Sequence, residues 1–244
     1  VIFIQKVVLD VPHDIEASPA DIEQLRTLVQ NTLWEEKKLF KPSDSEEVFV
    51  AALSIGETTS SYDSTPGVRL LQMRFENTAL SQSYKAFAWV NVRGHVQQEV
   101  REGVRKMFSV IHEQRVLEYA KPAVLIKAVH HPDVAVARFA MQKIADVKMH
   151  DAVPEVLRVL KESEDETRLL SAVGCVAALK DPRAVDALIA LVQHKDPSFV
   201  LQVVFAIGAI GGRTAEGFLV TMASGHPIDT VQQAAKDALD EMKR

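Results

Sequence analysis

Eight histidines, one cysteine and a short run of carboxylates are the side chains here whose types could do chemistry. Metal binding is the first chemistry to test. His130 and His131 are adjacent, and helix neighbours point apart, so the pair cannot converge on one ion. His131 and His226 each precede a proline at the start of a helical pattern and read as helix-end residues. His112-Glu113 is the only His-Glu pair. A nucleophilic thiol would need an electropositive neighbourhood. Cys175 instead sits in the small apolar run "SAVGCVAAL" and reads as a buried structural residue. One cysteine also excludes an intrachain disulfide and a multi-cysteine zinc site. Glu162, Glu164, Asp165 and Glu166 crowd into "KESEDET" without the spacing of a calcium loop. They read as a solvated turn that sets acids at a helix N-terminus. No Gly-x-Ser-x-Gly, P-loop or dinucleotide fingerprint occurs. The expectation is no catalytic residue, no metal ligand and no cofactor.

Composition narrows the partners. Of 244 residues, 47% are hydrophobic and 25% charged, the balance of a globular chain with a substantial core. The net charge is −5, and Lys37-Lys38 directly follows Glu35-Glu36, so there is no basic surface for a phosphate backbone. No apolar run is long enough for a bilayer span. The opening "VIFIQ" lacks an initiator Met, consistent with loss of a leader segment.

The elements that position these residues fall into two halves. In residues 1–117, "VIFIQKVVLDV" reads as a strand. "SPADIEQLRTLVQNTLWEEKK" reads as a helix with Ser18 as N-cap and Pro19 at the first position. Its Ile22, Leu25, Leu28, Val29, Thr32 and Leu33 share one face. "EEVFVAALSI" is a second strand, and "GETTSSYDSTPG" a long hairpin loop. In "RLLQMRFE", Leu71, Met73 and Phe75 alternate with Gln72, Arg74 and Glu76, the period of a half-buried strand. "SYKAFAWVNV" is a fourth strand, and a long amphipathic helix follows from "HVQQEV". The order β-α-β-β-β-α predicts an α+β domain, a small antiparallel-type sheet with two helices on one face. It is loosely similar to the small sheet domains of bacterial cell-envelope lipoproteins. That similarity favours the periplasm or cell envelope over the cytoplasm.

In residues 118–244 the strand period disappears and a helical pattern repeats. "DAVPEVLRVLKES" from Asp151 and "RAVDALIALVQHKD" from Arg183 match at an offset of 32, and "TAEGFLVTMASGHP" from Thr214 follows at 31. "KPAVLIKAVHHP" precedes them, and a second helix follows each one. Prolines at His131-Pro132, Asp196-Pro197 and His226-Pro227 mark the junctions. Two helices per period of this length indicate about four hairpins of an all-α solenoid. The segments "AIGAIGG" (Ala206 to Gly212) and "DPRAVDAL" (Asp181 to Leu188) resemble HEAT-like repeats of the phycobilisome-lyase type.

That resemblance implies a non-catalytic scaffold with a protein or peptide partner on the concave face. It also admits an enzyme or chromophore carrier as the alternative. The iron-holding relatives, similar to deoxyhypusine hydroxylase, use repeated His-Glu pairs, whereas the one pair here, His112-Glu113, lies outside the repeats. A bilin pocket would need many aromatics, and beyond the linker the repeats hold only Phe139, Phe199, Phe205 and Phe218. With 15 basic and 17 acidic residues from Glu118 to Arg244, a DNA-reading surface fails on charge. The expected contact residues come from aligning the second helices. Arg138 and Gln142 are polar in the first repeat, and Gln232, Gln233 and Asp237 in the last. The equivalent middle positions are Leu169, Leu170 and Val173, then Val200, Leu201 and Phe205. Such an apolar middle serves either a partner's groove or intramolecular docking of the N-terminal domain. Gly208 is expected where helices press together, with Gly211 and Gly212 at a helix end.

Overall fold

A computed structural model describes residues 2–10, 18–36, 47–55, 68–91, 95–193 and 196–243. The expected loop at "GETTSSYDSTPG" lies outside the described residues. The chain divides into two compact units, Val1–Val116 and Leu117–Arg244.

The first unit runs β1 (Ile2–Asp10), α1 (Pro19–Glu36), β2 (Glu47–Ile55), β3 (Val68–Asn77), β4 (Gln82–Asn91) and α2 (Val96–Glu118), whose end reaches the second unit. Ser18 and Asp21 close the N-terminus of α1 reciprocally, each backbone N–H donating to the other's side chain at 3.0 and 3.2 Å. The four strands lie in the order β1-β2-β3-β4. The sheet is mixed rather than antiparallel throughout, because β1 and β2 pair in parallel while β2-β3 and β3-β4 pair antiparallel. The physical reason is the helix between β1 and β2, which returns the chain to start the next strand in the same direction. The alternation in β3 holds, with Leu71, Met73 and Phe75 buried. Phe75 stacks on Phe49 at 5.0 Å and meets Phe108 of α2 edge-on at 5.7 Å. Gly103 lets α2 approach the sheet closely, since a Cβ there would lie 2.9 Å from a Val90 methyl. Gln114, 1% exposed, accepts from the Lys85 backbone N–H at 3.1 Å and donates to its carbonyl at 2.7 Å. This satisfies backbone groups of the edge strand β4 that would otherwise offer a pairing site.

Among its described residues the second unit forms four helical hairpins. They are α3 (Pro122–Ala128) with α4 (Val134–Asp146), α5 (Val153–Glu162) with α6 (Glu166–Leu179), α7 (Val185–Leu191) with α8 (Pro197–Ile210), and α9 (Arg213–Gly225) with α10 (Asp229–Met242). Short 3-10 turns, His150–Ala152 and Pro182–Ala184, lead into α5 and α7. The second helices α4, α6, α8 and α10 pack in sequence, each on the next. Among the described residues every strand lies between Ile2 and Asn91.

Caps repeat with the hairpins. Asp133, Asp165 and Asp196 are the N-caps of α4, α6 and α8, each accepting from a backbone N–H of its helix's first turn. Of the three junction prolines only Pro197 sits in the first turn of its helix, whereas α4 starts at Val134 and α10 at Asp229, beyond Pro132 and Pro227. Gly208 is a close-approach glycine, since its Cβ would come 2.7 Å from that of Ala238 on α10. Gly211 and Gly212 end the α8 segment at φ 74° and 93°. Their ψ values of −165° and 169° place them in a region that essentially only glycine occupies. They thus turn the chain without the left-handed helical geometry of a common C-cap.

Candidate functional site

The residues that could do chemistry are used as structural ties. His130 lies at the turn after α3 and its Nε2 is 2.8 Å from Glu155 of α5, which also holds Arg158 at 2.7 Å. His131 accepts from the Asp133 N–H at 3.1 Å, and His226 from the Ile228 N–H at 3.2 Å, both through Nδ1. His112, half-buried on α2, has its pKa lowered by desolvation and by the Arg115 charge. Asp181 is buried at 6% exposure and receives Arg183 through Nη2 at 2.7 Å and Nε at 2.9 Å. Its pKa is held down at about 2, chiefly by that hydrogen bonding. His150 stands 3.6 Å from the same carboxylate. Cys175 is buried, and desolvation pushes its thiol up to about 12. That is the wrong direction for a nucleophile. Asp165 accepts from the Arg168 backbone N–H at 2.7 Å through its carboxylate, so the "KESEDET" acids include a helix cap. Among the described residues no three His, Cys, Asp or Glu side chains come together to hold a metal ion. No described helix is long and apolar enough to cross a membrane.

The expected contact surface divides. Leu169, Val173 and Val200 are 4%, 3% and 3% exposed, so the expectation of an open apolar face is corrected for these three. Each middle helix has a neighbour on both sides, α4 and α8 for α6, α6 and α10 for α8, besides its own first helix. A wider arc of the helix is therefore buried there than at an end repeat. Leu170 and Leu201 are half-buried, and Phe205 is 46% exposed. Arg138 is half-buried on α4, and Gln142 is exposed and donates to Asp146 at 2.8 Å.

What the structure brings together is a groove of about 550 Å³ between α6 and α8. Leu170 and Phe205 wall it, the buried Val173 contributes an edge, and Gly174, Ala177 and Ala209 form small stretches of lining. Glu166 and Asp196 stand at the N-terminal end. Leu201, Arg138 and Gln142 are not part of it. Gly174, Ala177 and Ala209 were missed from the sequence because small residues in a helix read as packing positions. The available signal was Gly174 itself, a glycine in the middle of α6.

Residues 122–203 match the HEAT repeats family. With four hairpins in series, the second unit is a HEAT-like all-α solenoid, preceded in the chain by the four-stranded sheet unit. The match ends within α8, and the α9–α10 hairpin continues the same packing beyond it. No curated protein matches the chain. HEAT repeats commonly mediate protein–protein interaction.

Proposed function

We propose that this protein is a non-catalytic scaffold that takes a protein or peptide partner on the face built by the second helices of its solenoid. The two compact units are read as two domains, a sheet domain and a repeat domain that carries the binding surface. The observation that carries this reading is the groove between α6 and α8, where the aromatic Phe205 remains 46% exposed beside the half-buried Leu170. Because just over half of the side chain is already covered, burying the rest is worth roughly half of the ~1.5–3 kcal/mol of full burial, about 1 kcal/mol toward a partner segment. Chemistry finds less support, because the buried Asp181 is consumed by Arg183 and the Cys175 thiol is shifted away from the thiolate.

The test is the paired substitution Leu170→Ser and Phe205→Ser. Capture from a lysate of the source organism and thermal melting are measured on the same preparation. Lost capture with a melting temperature within a few degrees of wild type supports the surface. Unchanged capture of the same proteins refutes it. A large fall in melting temperature assigns these side chains to packing or to docking of the sheet domain.

A further inference from the structure

Gly174 has no close neighbour among the described residues. It sits inside α6, where glycine costs about 1 kcal/mol relative to alanine. A Cβ built on it meets nothing within 4 Å. Gly208 and Gly103 pay for their places with close contacts, at 2.7 and 2.9 Å, and Gly211 and Gly212 with positive φ. Gly174 has neither, as is also true of Gly217 inside α9, but of the two only Gly174 lies in the α6–α8 groove, beside Ala177 and across from Ala209 and Phe205. Glycine is the residue that lets another backbone come close.

The form of the visitor follows from hydrogen bonding. The groove walls are helices whose mid-segment N–H and C=O groups are already paired. An extended segment laid there would find no backbone partners, whereas a helix brings its own pairs satisfied. A helix also fits between two helices by ridge-and-groove packing, closest where side chains are small. Its charge follows from the rim. Among the described residues the lining holds two carboxylates, Glu166 and Asp196, and no cation. Asp196 uses its oxygens to cap α8, which leaves the exposed Glu166 as the carboxylate with reach.

We infer that the α6–α8 groove receives an amphipathic helix that packs its apolar face over Gly174 and sets a lysine or arginine against Glu166. This rests on the scaffold reading above and narrows it to one groove and one partner chemistry.

The probe is a display library of amphipathic helices, randomised on one face and in both terminal turns, selected on the full chain. The selected peptides are then titrated by fluorescence anisotropy against wild type, Gly174→Leu, Gly174→Ala and Glu166→Lys. The expected peptides carry apolar residues at helical spacing and a cation in one terminal turn. Gly174→Leu is expected to weaken them by about tenfold or more while melting at or above the wild-type temperature, because the new side chain enters open space. Glu166→Lys is expected to weaken them about threefold to tenfold at low salt, with the difference shrinking at high salt. Gly174→Ala checks folding, with a raised melting temperature and a smaller binding loss. Peptides that are acidic, that lack a cation, or that bind Gly174→Leu as well as wild type overturn this inference and leave the scaffold reading standing. No enrichment at all also overturns this inference, while the scaffold reading stands or falls by the capture experiment with Leu170→Ser and Phe205→Ser.

Discussion

The same substitution, glycine to alanine, should have opposite signs at two positions in neighbouring helices. At Gly174 the new methyl meets no atom of the described residues within 4 Å, so only helix propensity acts. Stability should rise by about 0.5–1 kcal/mol. At Gly208 the propensity gain is the same, but the methyl would stand 2.7 Å from the Ala238 Cβ and 3.4 Å from its Cα. Neither atom can swing aside, so α8 and α10 must separate, and overpacking of this kind costs about 1–3 kcal/mol. The net expectation for Gly208→Ala is a loss of about 1–2 kcal/mol. Ala238→Gly alone should also destabilise, through propensity and lost burial. In the double variant the clash is relieved, giving a coupling of about 1–3 kcal/mol. Urea unfolding followed by far-UV circular dichroism reads the helices of the solenoid. Both tryptophans, Trp34 and Trp89, lie in the first unit, so their fluorescence serves as an internal control that should not shift. Stabilisation by Gly208→Ala, or additivity in the cycle, would refute the close-approach reasoning.

Three further outcomes are expected. Lys180 ends α6 at φ 52°, a left-handed conformation unfavourable to a side chain, so Lys180→Gly should stabilise the solenoid by about 1 kcal/mol in the same urea assay. A loss would show that its side chain has a structural role. The Asp181 carboxyl is held at about 2 against an ordinary 3.8, so the unfolded chain binds the proton first as pH falls. The pair's contribution is full above the ordinary carboxylate range and disappears as pH drops through about 2. With Arg183 55% exposed, about 1–2 kcal/mol is the reasonable loss for Asp181→Asn near neutral pH. The variant should converge on wild type in acid, and an equal difference at both ends would refute the linkage. Gln114→Leu should destabilise the sheet unit by about 1–3 kcal/mol, because both Lys85 backbone groups lose their partner. Tryptophan fluorescence would read that loss, and an unshifted midpoint would remove Gln114 from the edge-protection role.

The sequence by itself determined the element order and the repeat, because both rest on local periods. Alternation at Leu71, Met73 and Phe75 marks a strand wherever the strand ends up, and the offsets of 32 and 31 mark hairpins whatever they pack against. It also singled out Gly208, since a glycine inside an apolar helical run already implies a close neighbour. Parallel pairing of β1 with β2 was decided only in three dimensions, since alternation along a strand carries no sign of its direction relative to a partner. The binding surface was decided there as well. Leu169, Val173 and Val200 looked like a face because their counterparts in the end repeats are polar, but that contrast comes from having a packed neighbour on both sides. Phe205 has the same composition signal and stays at the surface, because its position on α8 turns it toward the groove. Gly174 and Gly208 are the same residue type, 34 positions apart, and only the presence of Ala238 against one and open space against the other tells packing from a vacancy. Burial depends on what lies opposite a side chain, and a one-dimensional pattern records the side chain alone.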